Sequence, residues 1–118
     1  DNKFFCSNDI SNSWICFDFK SHTINITDYQ IKSCKWSNNN WNPKNFVIEG
    51  SIDNSSWEIL DEQINCDYIK GSNSVHTFSI KNHSSSSFRY IRFRQTSTNW
   101  SGSNYFAIKR IELYGKLI

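Results

Sequence analysis

The stretch that decides the fold class is FVIEGSIDNSSWEIL, residues 46–60. Every second residue of its first half faces the same side, as in a β-strand: Phe46, Ile48, Gly50 and Ile52. A glycine inside a strand indicates close packing against a large neighbour, or a bulge. The next four residues, DNSS, can hydrogen-bond to their own backbone, so the chain turns there and returns as WEIL. The stretch therefore predicts a short β-hairpin.

Composition extends this prediction to the whole chain. With 118 residues, the sequence is long enough for one domain, residues 1–118, with one core. Aromatic residues make up 16% of the chain, which suits sheets, whereas alanine occurs once and methionine not at all. Because strong helix formers are scarce, the chain is predicted to be all-β. The missing methionine also indicates a processed segment of a larger, multidomain protein.

Other segments repeat the strand pattern, in chain order SWICFDFK, TINITDYQIKSC, VHTFSI, FRYIRFRQ and FAIKRIELYG. In the last of these, Phe106 and Ile108 have one parity while Ile111 and Leu113 have the other, which predicts a slip of register near Lys109. The serine run 84–87 is predicted to be a loop. Short strands separated by turns indicate an antiparallel β-sandwich or barrel.

Charge and hydropathy exclude several classes of partner. The net charge is +2, with 13 basic and 11 acidic residues interspersed along the chain. This balance argues against nucleic acid, which calls for a concentrated basic face. No apolar run is long enough to span a membrane.

The cysteines leave two alternatives open. Cys6, Cys16, Cys34 and Cys66 are too widely spaced for a C-x-x-C metal or redox motif. They form either two disulfides in a secreted domain or four free thiols in a reducing compartment, and we prefer free thiols.

Catalytic motifs are missing from the sequence. The three histidines, His22, His76 and His83, accompany no nucleophile elbow, phosphate loop or H-E-x-x-H pattern. We therefore predict no catalytic residues, no metal and no cofactor.

Taken in order, SWICFDFK, INITDYQIKSC, NPKNFVIEGSIDNSSWEIL, FRYIRFRQ and IKRIELYG resemble the discoidin, or coagulation factor 5/8 type C, domain of the galactose-binding-like superfamily. The resemblance runs from about Ser13 to Gly115, and it is greatest for variants in intracellular proteins, including proteins of protists and proteins with BTB domains. It implies an eight-stranded jelly-roll sandwich. The first strand of the family begins further upstream, so it is expected to be truncated here or to lie outside the chain.

The resemblance also bears on the compartment. Secreted members close the domain with a disulfide that uses a cysteine just after the final glycine, where this chain has Lys116, Leu117 and Ile118. We therefore expect a cytoplasmic location, with an extracellular one as the alternative.

In the family, ligands meet loops at one end of the sandwich. One such loop corresponds to residues 1–12, with Phe4 and Phe5, and the other is KWSNNNWNPKN, residues 35–45. Exposed aromatics beside amides suit sugar faces and protein hot spots. The candidate binding residues are Phe4, Phe5, Trp36, Asn39, Trp41 and Asn42, and at least one of Trp36 and Trp41 is expected to be mainly structural.

A second set is predicted to be structural framework. Trp14 and Trp57 are expected in the core, and Trp100 is expected to plug the sandwich. Arg92 needs a carboxylate if it points inward, because an unpaired buried charge is costly. The candidate partners of Arg92 are Asp18, Glu49 and Glu112.

These observations predict a non-catalytic recognition module. The leading hypothesis is protein–protein interaction within an intracellular scaffold or cytoskeletal assembly, alongside other domains of the same polypeptide. Carbohydrate binding through the end loops is the alternative. The galactose-binding-like fold allows it, but a fold alone does not establish a function. Phospholipid binding is third, because the loops carry too little basic charge.

Overall fold

The computed structural model describes residues 4–82 and 86–118, and these residues form strands and loops with no helix. The strands within them are β1 (Phe5–Cys6), β2 (Trp14–Asp18), β3 (Ile24–Lys32), β4 (Phe46–Ser51), β5 (Glu58–Gln63), β6 (Val75–Ser79), β7 (Tyr90–Gln95), β8 (Ala107–Ile108) and β9 (Arg110–Leu117). The predicted all-β class is confirmed. No helix long and apolar enough to cross a membrane exists in the described ranges.

The strands form an antiparallel sandwich of the jelly-roll type. One sheet has the order β2-β7-β4-β5, the facing sheet has the order β6-β3-β9, and β1 pairs with β8 at the side. All pairings are antiparallel. The core between the sheets is largely aromatic, because Phe46 stacks on Phe93 and Tyr29 stacks on Phe78, each ring pair within 5 Å (4.7 and 4.8 Å between centroids).

The predicted hairpin is β4, a turn and β5. The Asp53 carboxylate accepts hydrogen bonds from the backbone N–H groups of Ser55 and Ser56, at 2.9 and 2.8 Å, and so closes the turn. Of the two features that a strand glycine indicates, the large neighbour is present, because a Cβ on Gly50 would lie 2.6 Å from the ring of buried Phe88. The β4–β5 pairing does contain a bulge, but its extra residue, Leu60, belongs to β5 and not to the strand of the glycine.

The predicted slip of register near the C-terminus is also present. β8 ends at Ile108 and β9 begins at Arg110, and they pair with different partners, β1 and β3. At the break between them, the Lys109 N–H donates to the carbonyl of Lys32 at 2.9 Å. The break lets Phe106 and Ile108, before it, and Ile111, after it, all pack on the core despite their different parity.

The predicted ligand loop at residues 1–12 is partly wrong. Residues 1–3 lie outside the described ranges, but Phe5 belongs to strand β1 and its ring packs on Phe106, with centroids 5.2 Å apart. Phe5 therefore supports the core rather than projecting from a loop. Its neighbour Phe4 is 55% exposed. His83 and the first two residues of the serine run, Ser84 and Ser85, also lie outside the described ranges.

Trp14 was expected in the core, and this prediction is wrong. Its side chain is 54% exposed on the outer face of the four-stranded sheet. Alternation gives the reason: Ile15 packs on the core, so its neighbour Trp14 must point outward. Trp57 is half-buried on the same outer face rather than in the core, with the Arg92 guanidinium 3.9 Å from its ring centroid.

Candidate functional site

Three loops meet at one end of the sandwich: residues 33–45 after β3, residues 64–74 after β5 and residues 96–106 after β7. A cleft of about 290 Å³ opens beside the first of these loops, between it, Phe4 and Ala107. Five of the six candidate binding residues line it: Phe4, Trp36, Asn39, Trp41 and Asn42. The remaining one, Phe5, lines a neighbouring groove.

Trp36 is the exposed aromatic of the cleft. It is 39% exposed, yet its indole N–H donates to the carbonyl of Lys70 at 3.1 Å. Its backbone N–H donates to Ser72 Oγ, also at 3.1 Å. The indole is therefore fixed at its polar edge, and part of its apolar surface faces solvent.

Trp41 has a structural role. Its ring stacks on Tyr105 with centroids 4.4 Å apart and an interplanar angle of 19°. Its carbonyl accepts the N–H of Ala107 at 3.0 Å. These contacts join the loop after β3 to the start of β8. They agree with the expectation that one of the two tryptophans is mainly structural.

Asn42 was predicted to contact ligand, but the structure buries it to 1% exposure. Its side-chain oxygen accepts the N–H of Cys34 at 3.0 Å, and its side-chain nitrogen lies 3.3 Å from the carbonyls of both Cys34 and Lys70. Both polar atoms of its side chain are therefore used within the protein. Asn42 braces the loop because buried backbone groups need hydrogen-bond partners. Asn39, in contrast, is exposed.

The carbonyl of Lys70 accepts hydrogen bonds from several side chains of the loop at residues 33–45. Besides Trp36 and Asn42, it accepts a hydrogen bond from the side chain of Asn40 at 2.9 Å. Asn40 is buried, with 7% of its surface exposed, and its backbone N–H donates to Ser101 Oγ. Asn40 and Lys70 were not predicted from the sequence, because no local pattern marks a carbonyl that accepts hydrogen bonds from side chains some thirty residues away.

Asn99 holds the third loop. Its side-chain oxygen accepts the N–H groups of Ser101 and Ser103 at 2.8 and 3.1 Å. Its side-chain nitrogen donates to Ser103 Oγ and to the carbonyl of Tyr105, at 2.9 and 2.8 Å. Asn99 is 2% exposed. This set of hydrogen bonds around the Asn99 side chain, the Asn99 cage, was not predicted, although a segment as rich in Asn, Ser and Gly as NWSGSN is typical of such a turn.

Trp100 lies half-buried beside this cage. The ammonium groups of Lys44 and Lys70 lie 4.8 and 4.4 Å from its ring centroid. Its indole N–H is buried and has no acceptor among the described residues. That Trp100 plugs the sandwich stays a prediction.

The ion-paired residues of the described ranges are not among those that line the cleft. Of the three predicted partners of Arg92, Glu49 forms the ion pair, with 3.0 Å between Arg92 Nη2 and Glu49 Oε1. Glu49 is 4% exposed and also binds Arg94 at 2.9 Å. Burial alone raises the pKa of Glu49, but the two guanidinium groups outweigh burial and lower it. The other two candidates have different partners: Asp18 pairs with Arg89, and Glu112 with Arg110.

Of the four cysteines, one lines the cleft as far as the structure describes it. Its cysteine, Cys34, is buried, and burial raises the pKa of the thiol to about 11, so the thiol stays protonated at neutral pH. His76 lies elsewhere, stacked on Tyr68 at 4.0 Å. The described residues contain no cluster of three or more potential metal ligands. All four cysteines are free thiols, which is the alternative that we preferred.

Comparison with known proteins gives a family and a fold. A family model described as "Sad1 / UNC-like C-terminal" matches residues 4–117. A search of the curated proteins finds no match. Among solved structures, a CBM32 module of Clostridium perfringens, in complex with GalNAc-β-1,3-galactose, aligns with a TM-score of 0.70 and 13% identity, over 97% of this chain and 76% of that one.

Two further structures agree. The CBM62 module of Clostridium thermocellum Xyl5A aligns with a TM-score of 0.64 and 20% identity, over 91% of this chain and 70% of that one. A chitosan-binding module of a chitosanase/glucanase from Paenibacillus sp. IK-5 aligns with a TM-score of 0.63 and 15% identity, over 95% and 76%. The discoidin-like, galactose-binding-like fold inferred from the sequence is confirmed.

Proposed function

The chain belongs to the Sad1/UNC-like C-terminal family, and from this premise we propose that it is a non-catalytic recognition module that binds a saccharide in the cleft at the loop end of its sandwich. The carrying observation is Trp36, an aromatic held in place by its N–H bond to the Lys70 carbonyl while 39% of it faces solvent. A fixed aromatic surface binds with little loss of conformational entropy. This reverses the order of the two leading hypotheses from the sequence.

Other groups in the cleft support a sugar. Lys35 and Asn39 are exposed beside Trp36 and can exchange hydrogen bonds with hydroxyl groups. A volume of about 290 Å³ is near the lower limit of small-ligand pockets, which suits one or two sugar rings. The related C. perfringens module was solved with a disaccharide. At 13% identity that module is a precedent for the fold, and the specificity must come from this chain's own residues.

The test is a glycan array followed by calorimetry on the saccharides that bind. Trp36→Ala is expected to weaken binding about thirtyfold, the effect of losing a hot-spot aromatic worth about 2 kcal/mol. Trp14→Ala is the matched control, because it removes an equally large, 54% exposed indole from the outer sheet face. Equal binding by both variants would contradict a role for the cleft. Binding of no saccharide would contradict the proposal itself.

A second candidate, a protein partner, is favoured by one observation. Phe4 is 55% exposed and lines both the cleft and an adjoining groove with Phe5, Ile15 and Ile108. This groove is apolar and offers a sugar few hydrogen-bond partners, whereas apolar side chains of a protein would fill it. A cytoplasmic location is part of this candidate, and the four free thiols support it. Saccharide binding that survives Phe4→Ala, beside protein capture that does not, would separate the two candidates.

A further inference from the structure

Two lysines at the loop end have no anionic partner among residues 4–82 and 86–118. The ion pairs of the described residues involve Lys20 and four arginines, and neither Lys44 nor Lys70 belongs to any of them. The acidic residue nearest to Lys70 in sequence, Asp67, also forms none. The ammonium groups of Lys44 and Lys70 both lie near the ring of Trp100, at 4.8 and 4.4 Å from its centroid.

Cation–π contact only partly satisfies such groups. An ammonium group has three N–H donors, and an aromatic face provides no lone pair to accept them. Two cations beside one ring also repel each other, a cost that a bound anion removes. The arrangement therefore leaves N–H donors of two positive charges available to an anion.

This basic pair is joined to the proposed saccharide cleft through one residue. The carbonyl of Lys70 accepts the indole N–H of Trp36, while the side chain of Lys70 reaches Trp100. The loops carrying the two tryptophans are also tied by the bond from Asn40 N–H to Ser101 Oγ. Lys35 lines the cleft itself and adds a further positive charge. A ligand lying on Trp36 thus meets Lys35 in the cleft and lies next to the backbone of Lys70.

We infer that the saccharide is acidic, and that its carboxylate or sulfate group pairs with the ammonium groups of Lys44 and Lys70. This inference rests on the proposed function and specifies its ligand class. The two lysines act as specificity-determining residues, while Trp36 supplies the aromatic surface. Carboxylate and sulfate share the chemistry that matters here, a negative charge with several acceptor oxygens.

The experiment uses matched polysaccharides. Polygalacturonate is compared with its highly methyl-esterified form, and dextran sulfate with dextran, so that each pair shares a backbone and differs in charge. We expect the wild-type chain to bind one charged member at least tenfold more tightly than its neutral counterpart, and to weaken as salt rises. Which pair responds identifies carboxylate or sulfate.

The variants separate a specific site from general charge. Lys44→Gln combined with Lys70→Gln is expected to reduce binding of the charged member about tenfold, the size of two exposed ion pairs. The Lys→Arg pair at the same positions keeps the charge and should restore most of the affinity. Lys20→Gln combined with Lys116→Gln changes net charge equally at other places and should have little effect. Thermal melts check that every variant is folded.

The outcomes are distinguishable. Equal loss in both glutamine pairs would overturn the inference, since net charge alone would then explain binding. Equal affinity for charged and neutral polysaccharides would also overturn it and leave the proposed function standing. Lysine-dependent binding of poly-L-glutamate as tight as that of the polysaccharides would overturn the saccharide class. Absence of all saccharide binding would overturn the proposed function and this inference with it.

Discussion

Replacing Gly50 by alanine sets two effects of opposite sign against each other. Alanine in place of glycine inside a strand ordinarily stabilises by about 0.5–1 kcal/mol, because glycine loses more freedom on folding. At Gly50, however, the new Cβ would lie 2.6 Å from Cγ and 2.7 Å from Cδ2 of Phe88. Since Cγ is the root of the ring, ring rotation cannot relieve this contact. Phe88 is also buried, and its backbone exchanges two hydrogen bonds with Ile24 at 2.9 Å.

The steric effect should therefore exceed the backbone effect. Overpacking a core costs about 1–3 kcal/mol, which leaves a net destabilisation of roughly 1–2 kcal/mol for Gly50→Ala. For a chain of 118 residues the entropy of unfolding is about 0.25 kcal/mol per kelvin, so the Tm should fall by about 4–8 °C. Urea denaturation followed by tryptophan fluorescence and a thermal melt measure the two quantities.

A double-mutant cycle tests the cause. Phe88→Ala removes the Cγ and Cδ atoms that the new Cβ would meet, so the double variant should be more stable than the sum of the single effects predicts, by about 1 kcal/mol. A higher Tm for Gly50→Ala would refute the reasoning, because strand propensity would then prevail. Strict additivity in the cycle would show that the clash lies elsewhere.

Three further predictions concern charge, thiols and the loop. Glu49 stabilises the fold above its ordinary pKa, and this contribution is lost as pH falls through its lowered folded-state pKa. Glu49→Gln should thus lower the free energy of unfolding by about 3 kcal/mol at pH 7, and the variant should lose less stability than the wild type as the pH falls. An equal loss of stability in both proteins on acidification would contradict this. With a thiol reagent, Cys6 should react first in the folded protein and all four cysteines after unfolding, whereas fewer than four would indicate a disulfide. Tyr105→Ala removes the stack on Trp41, worth about 1 kcal/mol, and should speed amide exchange at Ala107; unchanged exchange would show that the stack does not hold the loop.

The elements that the sequence predicts well depend on neighbouring residues. The hairpin of residues 46–60 combines a period of two with a turn closed by Asp53, and both are properties of a few consecutive residues. The slip at Lys109 follows from the parity of flanking apolar residues in the same way. The strand glycine predicts a large neighbour without telling which one, because Phe88 lies far away along the chain.

The predictions that failed needed information from outside the local pattern. Trp14 was placed in the core from its position in the family, although alternation with Ile15 points it outward. Phe5 and Asn42 were assigned to binding as loop residues, but pairing with β8 and the carbonyl of Lys70 gives them structural roles. Long-range backbone contacts of this kind leave no trace in composition or periodicity.

The caged side chain of Asn99 has a consequence for covalent modification. Asn99-Trp100-Ser101 matches the acceptor pattern for N-linked glycosylation. The nitrogen that would carry the glycan is the one that bonds Ser103 and Tyr105, at 2% exposure. A glycan there could be attached only before folding, and it would destroy the cage. Asn54, in the same pattern at the exposed tip of the hairpin, has room for one, so a glycan on Asn54 is compatible with the folded domain and a glycan on Asn99 is not.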